Sequence, residues 1–193
     1  YQFRFTVAGA APASNFVVSN TTVQQAPAFF RITHSTGYGL CTAFTEVTVT
    51  LLELIDGDEV PITDYTGTVT ISNTGGSGAQ GSYTAPKGNG TLTPVSPGVV
   101  TYQFNDLDDG QVTLRFTATG ADTLTFDAND SVNGISTEDY NLQMVVGNCT
   151  IGISHSGLGG TCAATPVTFA ILAPGGVPAL GYTGTITVTT APA

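Results

Sequence analysis

Val47-Thr48-Val49-Thr50-Leu51-Leu52-Glu53-Leu54 alternates apolar and polar side chains with a period of two, and that period decides the fold class. Successive side chains of a strand point to opposite faces, so Val47, Val49 and Leu51 share one face and the threonines share the other. The same alternation recurs on both sides of this stretch. Residues 29–33 read as a strand before it, and residues 66–72 as one after the Asp56-Gly57-Asp58 turn, with Val69 and Ile71 set between threonines. Tyr83, residues 90–92 and residues 99–104 supply further strands, separated by Pro86, Pro94 and Pro97. Residues 111–117 follow the tight Asp108-Asp109-Gly110 turn and place Val112, Leu114 and Phe116 on one face. Residues 123–126 and 140–146 complete the series, and no stretch carries a helical period. Residues 75–81 read as a Gly-rich loop, and the polar residues 127–139 as a long loop. Short strands at this density predict an all-β, immunoglobulin-like β-sandwich, with a barrel or jelly roll as the structural alternative.

Farther out, the chain repeats itself. His34-Ser35 followed by Gly37, Gly39 and Cys41 returns as His155-Ser156 followed by Gly157, Gly159 and Cys162, an offset of 121 (155 − 34 and 162 − 41). Tyr65-Thr66-Gly67-Thr68-Val69-Thr70 returns as Tyr182-Thr183-Gly184-Thr185-Ile186-Thr187, an offset of 117 (182 − 65). Arg4-Phe5-Thr6 with Gly9-Ala10 matches Arg115-Phe116-Thr117 with Gly120-Ala121, an offset of 111 (115 − 4). These offsets divide the chain in three. Residues 1–28 read as the end strands of a preceding repeat plus a linker, residues 29–149 as one complete immunoglobulin-like repeat, and residues 150–193 as the first strands of a following repeat. Sandwich units in tandem, one complete and two partial, are the mark of an array, whose work is length, spacing or adhesion. A chain read as starting inside a repeat is not expected to open with a signal peptide, and none is seen at Tyr1.

Polarity here is carried by hydroxyls more than by charge. Charged residues make up 9% of the chain, against roughly 25% in ordinary globular proteins, while threonine occurs 33 times. Threonine is stiff at χ1 and suits a pleated sheet, and the 24 glycines and 10 prolines punctuate turns. Fourteen acids oppose only Arg4, Arg31, Lys87 and Arg115, for a net charge of -10. That balance argues against nucleic acid, whose binding needs clustered Lys and Arg to displace counterions, and against an anionic membrane surface. No apolar run approaches the length of a spanning helix, so direct membrane insertion is not expected.

The three cysteines are an odd count that the repeat explains. In a seven-stranded sandwich the chain leaves its first and its last strand at the same end, and Cys41 follows the first while Cys149 follows the last. This topology predicts a Cys41–Cys149 disulfide closing 108 residues (149 − 41), with the partner of Cys162 lying outside the chain. In the chain-entropy model such a loop contributes on the order of 4 to 5 kcal/mol. Cys149–Cys162, across the first strand and loop of the next unit, is the competing pairing.

Few residues carry chemistry. His34 and His155 stand seven residues before a motif cysteine, but one His with one or two Cys falls short of the four donors zinc takes. The expected role of the imidazole is to bond loop backbone at the strand end. Asn105-Asp106-Leu107-Asp108-Asp109-Gly110 sets three carboxylates and an amide in six residues, with Asp127, Asn129 and Asp130 near in sequence. Asp106, Asp108 and Asp109 are therefore calcium candidates, since calcium takes six to eight hard oxygen ligands, although the EF-hand spacing is not met. Asp56-Gly57-Asp58-Glu59 is weaker, because its counterpart Ala173-Pro174-Gly175-Gly176 has no acid. Asn20, Asn89, Asn129 and Asn148 open Asn-x-Ser/Thr triplets, an unsurprising number in so Thr-rich a chain. Carboxylates within one tight turn supply no cleft for glycoside hydrolysis. No catalytic residue and no resident cofactor is expected.

An apolar strand, His-Ser-x-Gly-x-Gly-x-Cys, a Val-Thr-rich strand and then Tyr-Thr-Gly-Thr-Val-Thr resemble the repeats of large bacterial surface proteins similar to the mannose-sensitive haemagglutinin pilus biogenesis protein Q. The resemblance covers nearly the whole chain and implies an extracellular or cell-surface bacterial protein linked to pili or adhesion. It implies no reaction. The function expected is that of a non-enzymatic structural module of a surface, pilus-associated or fibre-forming protein, with neighbouring repeats or identical subunits as partners. The alternative is an adhesin module that recognises carbohydrate or calcium through the acidic loop at residues 105–110 and the Gly-rich loop at residues 75–81.

Overall fold

Alternation becomes burial along the opening stretch, where Val47, Val49 and Leu51 are 0–1% exposed. The computed structural model describes residues 27–77, 81–138, 142–156 and 165–189. Their strands are β1 (Ala28–His34), β2 (Gly37–Gly39), β3 (Thr45–Ile55), β4 (Asp58–Pro61), β5 (Thr68–Thr74), β6 (Ser82–Lys87) and β7 (Thr91–Ser96). The series continues with β8 (Val99–Gln103), β9 (Gln111–Thr117), β10 (Asp122–Asp130), β11 (Ile135–Ser136), β12 (Met144–Gly147), β13 (Thr150–His155) and β14 (Val167–Leu172). Two single-turn 3-10 segments, Asp106–Asp108 and Pro174–Gly176, are the only helical residues among those described.

Twelve of these strands, β1 to β12, make two sheets over one core. The first has the order β1-β3-β9-β6 with β4 paired to β3, and the second the order β2-β12-β10-β5-β8-β7 with β11 paired to β10. Every pairing is antiparallel except that of β2 with β12. Val47, Val49, Leu51, Val112, Leu114 and Phe116 of the first sheet join Val69, Ile71, Tyr102, Leu124 and Met144 of the second in one buried cluster. Burying a side chain of this size contributes about 1.5 to 3 kcal/mol, so these eleven residues dominate the stability of the body. Aromatic rings meet edge to face inside it, Phe116 with Phe126 at 5.3 Å and Tyr102 with Phe104 at 4.9 Å, the arrangement their quadrupoles favour.

Three expectations need correction. Residues 127–130 are strand, not loop: β10 runs on to Asp130 and pairs back with β11, with Ala128 and Asp130 pointing inward. Pro86 and Pro94 do not separate strands but lie inside β6 and β7. Each of these strands ends its sheet, and each shifts register beside its proline, between Thr84 and Lys87 and between Pro94 and Ser96. Proline has no N–H for the ladder, so a bulged edge strand is where a sheet admits it. The short strands β2, β4 and β11 carry too few residues to show a period. The Asp56-Gly57 turn does close a two-residue hairpin, both residues at positive φ, with Ile55 opposite Asp58.

β13 and β14 stand apart as an antiparallel pair whose register repeats that of β1 and β3. His155 faces Val167 as His34 faces Val47, offsets of 121 (155 − 34) and 120 (167 − 47). Val167-Thr168-Phe169-Ala170-Ile171-Leu172 thus stands over Val47-Thr48-Val49-Thr50-Leu51-Leu52. Beyond the strand the match continues three residues sooner. Leu172 bridges Pro178 as Leu52 pairs with Pro61, and the Ala179 amide bonds the Ile171 carbonyl (2.9 Å) as the Ile62 amide bonds that of Leu51 (3.1 Å). The β3–β4 hairpin therefore has a shortened counterpart in the compact loop at residues 173–177. Residues 1–26, including the Arg4-Phe5-Thr6 echo, and Cys162 lie outside the described residues.

Candidate functional site

Two glycines of the His-Ser motif build a surface without side chains. Gly37 and Gly39 flank Tyr38 on β2, which runs parallel to β12 with Gly37 beside Val145 and Gly39 beside Gly147. The Leu40 amide extends the pairing to the Gly147 carbonyl and the Val145 amide to the Thr36 carbonyl, both at 2.9 Å. Ala173 and Pro174 rest on this floor. A Cβ on Gly37 would overlap the Pro174 carbonyl oxygen, one on Gly39 would overlap Cys149 Sγ, and one on Gly147 would lie 3.0 Å from Pro174 Cγ. The loop above is tight: the Ala173 amide bonds the Val177 carbonyl (2.7 Å) and Gly176 bonds Ala173 (3.1 Å). Ala173 is 5% exposed as a result.

The same end of the body is tied covalently. Cys41, just after β2, and Cys149, just after β12, form a disulfide with Cα atoms 6.0 Å apart. At the end of β1 the His34 ring nitrogens lie 2.7 Å from the Ser35 carbonyl and 3.1 Å from that of Leu142, and the ring meets Phe126 at 4.7 Å. His34 thus fastens the segment that leads into β12. An apolar groove continues from the floor between Tyr38 and Phe44 on one side and Val177 and Leu180 on the other. Carbonyls, methylenes and an oxidised cysteine pair meet on the floor, a set that fixes geometry. Position for position from the histidine, Gly39 corresponds to Gly160 but Gly37 to Leu158. Only one of the two floor glycines therefore recurs.

The acidic turn is arranged around its own carboxylate. Asp108 is 6% exposed and accepts from the Tyr102 hydroxyl and the Asn105 amide, both at 2.9 Å, and from the Asn89 amide. Burial opposes its ionisation, but the backbone amides of Asn105 and Asn89 and the Tyr102 hydroxyl outweigh that and hold its carboxyl below the ordinary range. Burial, with the carboxylate adding to it, pushes the Tyr102 hydroxyl up to about 12. Asp106 and Asp109 face solvent. Asp130 is committed in the same way, accepting from the Tyr65 hydroxyl (2.5 Å), the Val132 amide (2.9 Å) and the Asn133 amide and side chain (3.1 and 2.6 Å). Asp127 accepts from the Thr137 hydroxyl (2.9 Å) on the outer face. At the Gly-rich loop Asp122 takes the amides of Gly76 (3.1 Å) and Ser77 (2.9 Å), which hold its carboxyl down. Asp56 and Asp58 are exposed, and Glu59 pairs with Arg31, which also reaches Glu138 at 2.8 Å. Among the described residues no three His, Cys, Asp or Glu side chains converge as a metal site would require.

Sequence reasoning missed Gly147 and Ala173-Pro174 as members of the floor, and the two Tyr–Asp pairs. A signal for the first existed in the closely spaced glycines, which mark close backbone approach. Tyr-Thr-Gly held another: a Cβ on Gly67 would collide with the Tyr65 ring, and one on Gly184 with the Tyr182 ring.

Fold and junction together define an all-β protein of stacked antiparallel sheets with a disulfide-closed end. No family model matches the chain, and no significant match appears among curated proteins or solved structures.

Proposed function

We propose that this chain is a non-enzymatic structural repeat module of an extracellular bacterial protein, surface-borne, pilus-associated or fibre-forming, built of immunoglobulin-like units in tandem. One observation carries the reading: β13 and β14 reproduce the register and flanking backbone bonds of β1 and β3, and their loop seats on the preceding body. Lettered in chain order, the first sheet reads A-B-E-D (β1-β3-β9-β6) and the centre of the second G-F-C (β12-β10-β5). That is the order of a seven-stranded immunoglobulin sandwich, with the β7–β8 hairpin inserted between D and E. The Cys41–Cys149 disulfide suits an oxidising compartment. Among the described residues no helix is long and apolar enough to cross a membrane. The link to bacterial surfaces and pili rests on the likeness of the His-Ser-x-Gly-x-Gly-x-Cys and Tyr-Thr-Gly-Thr motifs to the repeats of that family. Electron microscopy of native material tests the proposal: beaded rods or fibres with one bead per sandwich are expected, and isolated particles without periodicity would sink it.

A further inference from the structure

Resting on that tandem reading, we propose a mechanical role for the closed end of the body: tension along an array of such units runs through β1, β2 and the Cys41–Cys149 bond, and residues 42–148 are kept out of it. The chain enters the body before Ala28, where β1 starts, and leaves it after Cys149, where β13 starts. Two covalent routes join those points. One follows the backbone through both sheets, 121 residues from Ala28 to Cys149 (149 − 28). The other runs 13 residues from Ala28 to Cys41 (41 − 28) and crosses the disulfide. The shorter route is taut long before the longer one, so it takes the pull.

The short route already lies along the direction of that pull. Its contacts with the segment leading to Cys149 advance in step: Phe30 bridges Thr137 in parallel, His34 Nε2 lies 3.1 Å from the Leu142 carbonyl, Gly37 stands beside Val145, Gly39 beside Gly147, and Cys41 is bonded to Cys149. The two segments therefore run side by side to the same end of the body, and Ala28 is at the other. On its second side β1 is laddered to β3 through seven pairs, from Ala28 with Glu53 to His34 with Val47. Hydrogen bonds of an antiparallel ladder stand perpendicular to the strands, so a lengthwise pull strains them together and does not peel them singly. Phe30 and Tyr38, 0% and 3% exposed, plug the route into the core cluster. Strands rise about 3.4 Å per residue where a fully drawn chain gives at most about 3.6 Å, so β1 and β2 hold little slack.

Single-molecule stretching of the full chain, held at its two ends, tests the proposal. With the bond formed, the body should give no step longer than about 45 Å, the reach of the 13-residue route at about 3.5 Å per residue. In Cys41→Ala with Cys149→Ala it should open by up to about 420 Å, the reach of the 121-residue route. Reductant added to the stretched wild-type chain should release about 380 Å more, from the 108 residues that the bond closes, and this arm holds even where the double variant does not fold. A long step in the bonded chain, or no release on reduction, would overturn the proposal. The short step should return on an immediate second pull, because only β1 and β2 have to seat again. Its absence would show that residues 42–148 had unfolded with them, and the shelter would fall. Tyr38→Ala should lower the force of the short step without lengthening it, and an unchanged force would strike β2 from the path. Particles without periodicity in microscopy would reject the tandem reading and leave this path standing in the single chain, whereas a long step in the bonded chain would reject the path and leave the tandem reading.

Discussion

β1–β3 and β13–β14 are the same piece of architecture in two surroundings. Both pair antiparallel in the same register and both are followed by the same amide-to-carbonyl return bond, yet one is buried and the other exposed. Strand pairing and register are thus local properties of the stretch from the first strand to the return bond, while burial depends on strands far along the chain, as the hydrophobic term requires.

The widest break in the comparison comes from untying the first region. Replacing Cys41 and Cys149 together by alanine should cost on the order of 4 kcal/mol in urea unfolding, because the bond closes 108 residues. A cost under about 1 kcal/mol would mean that the bond does not constrain the unfolded chain. Next, Leu51→Ala should destabilise by about 2 to 5 kcal/mol, since the site is fully enclosed. Its counterpart Ile171→Ala should cost less than about 1 kcal/mol in a dilute monomer, and equal losses would erase the distinction between the two regions.

A smaller effect is expected at the floor. Gly39→Ala places a methyl on Cys149 Sγ and should cost about 1 to 3 kcal/mol, whereas Gly120→Ala, with open space around it, should stay within about 0.5 kcal/mol. Matching melting temperatures for the two would show the floor to be loose.

Smaller again is the pH dependence. Asp108 and Asp130 are held below their ordinary range when folded, so their contribution is complete above the unfolded value of about 3.9 and fades as pH falls through the folded one. Tyr102 is raised to about 12, so its contribution is complete below about 10 and fades as pH climbs from there. Asp108→Asn should flatten the acid limb of a melting-temperature profile, and an unchanged limb would remove Asp108 as its source. Smallest of all, millimolar calcium and chelator should give superimposable melting curves, because Asp108 is already satisfied by the protein's own donors. A rise with calcium would revive the binding-module alternative.

Legibility followed the physics of each element. β9 and the Asp56-Gly57 turn could be read residue by residue, because alternation and positive φ are written locally. The second half of β10 could not, since its inward residue is an aspartate made tolerable by Tyr65, 65 positions away. Pro86 and Pro94 read as breaks because the sequence does not say which strand ends a sheet. The fall in spacing from 121 to 117 showed that the second copy is shorter between its motifs, but the pairings were needed to place three of the lost residues between Leu172 and Pro178.

By itself, then, the sequence determined the period of two, the turn residues, the odd cysteine count and the recurrence of short motifs, all of which depend on neighbours within a few residues or on counting. The tertiary structure decided which faces are covered, which strands are edges and why Gly37 and Gly39 carry no side chain. Those outcomes depend on atoms brought together from distant positions, and a linear pattern holds no record of them until the sheets close.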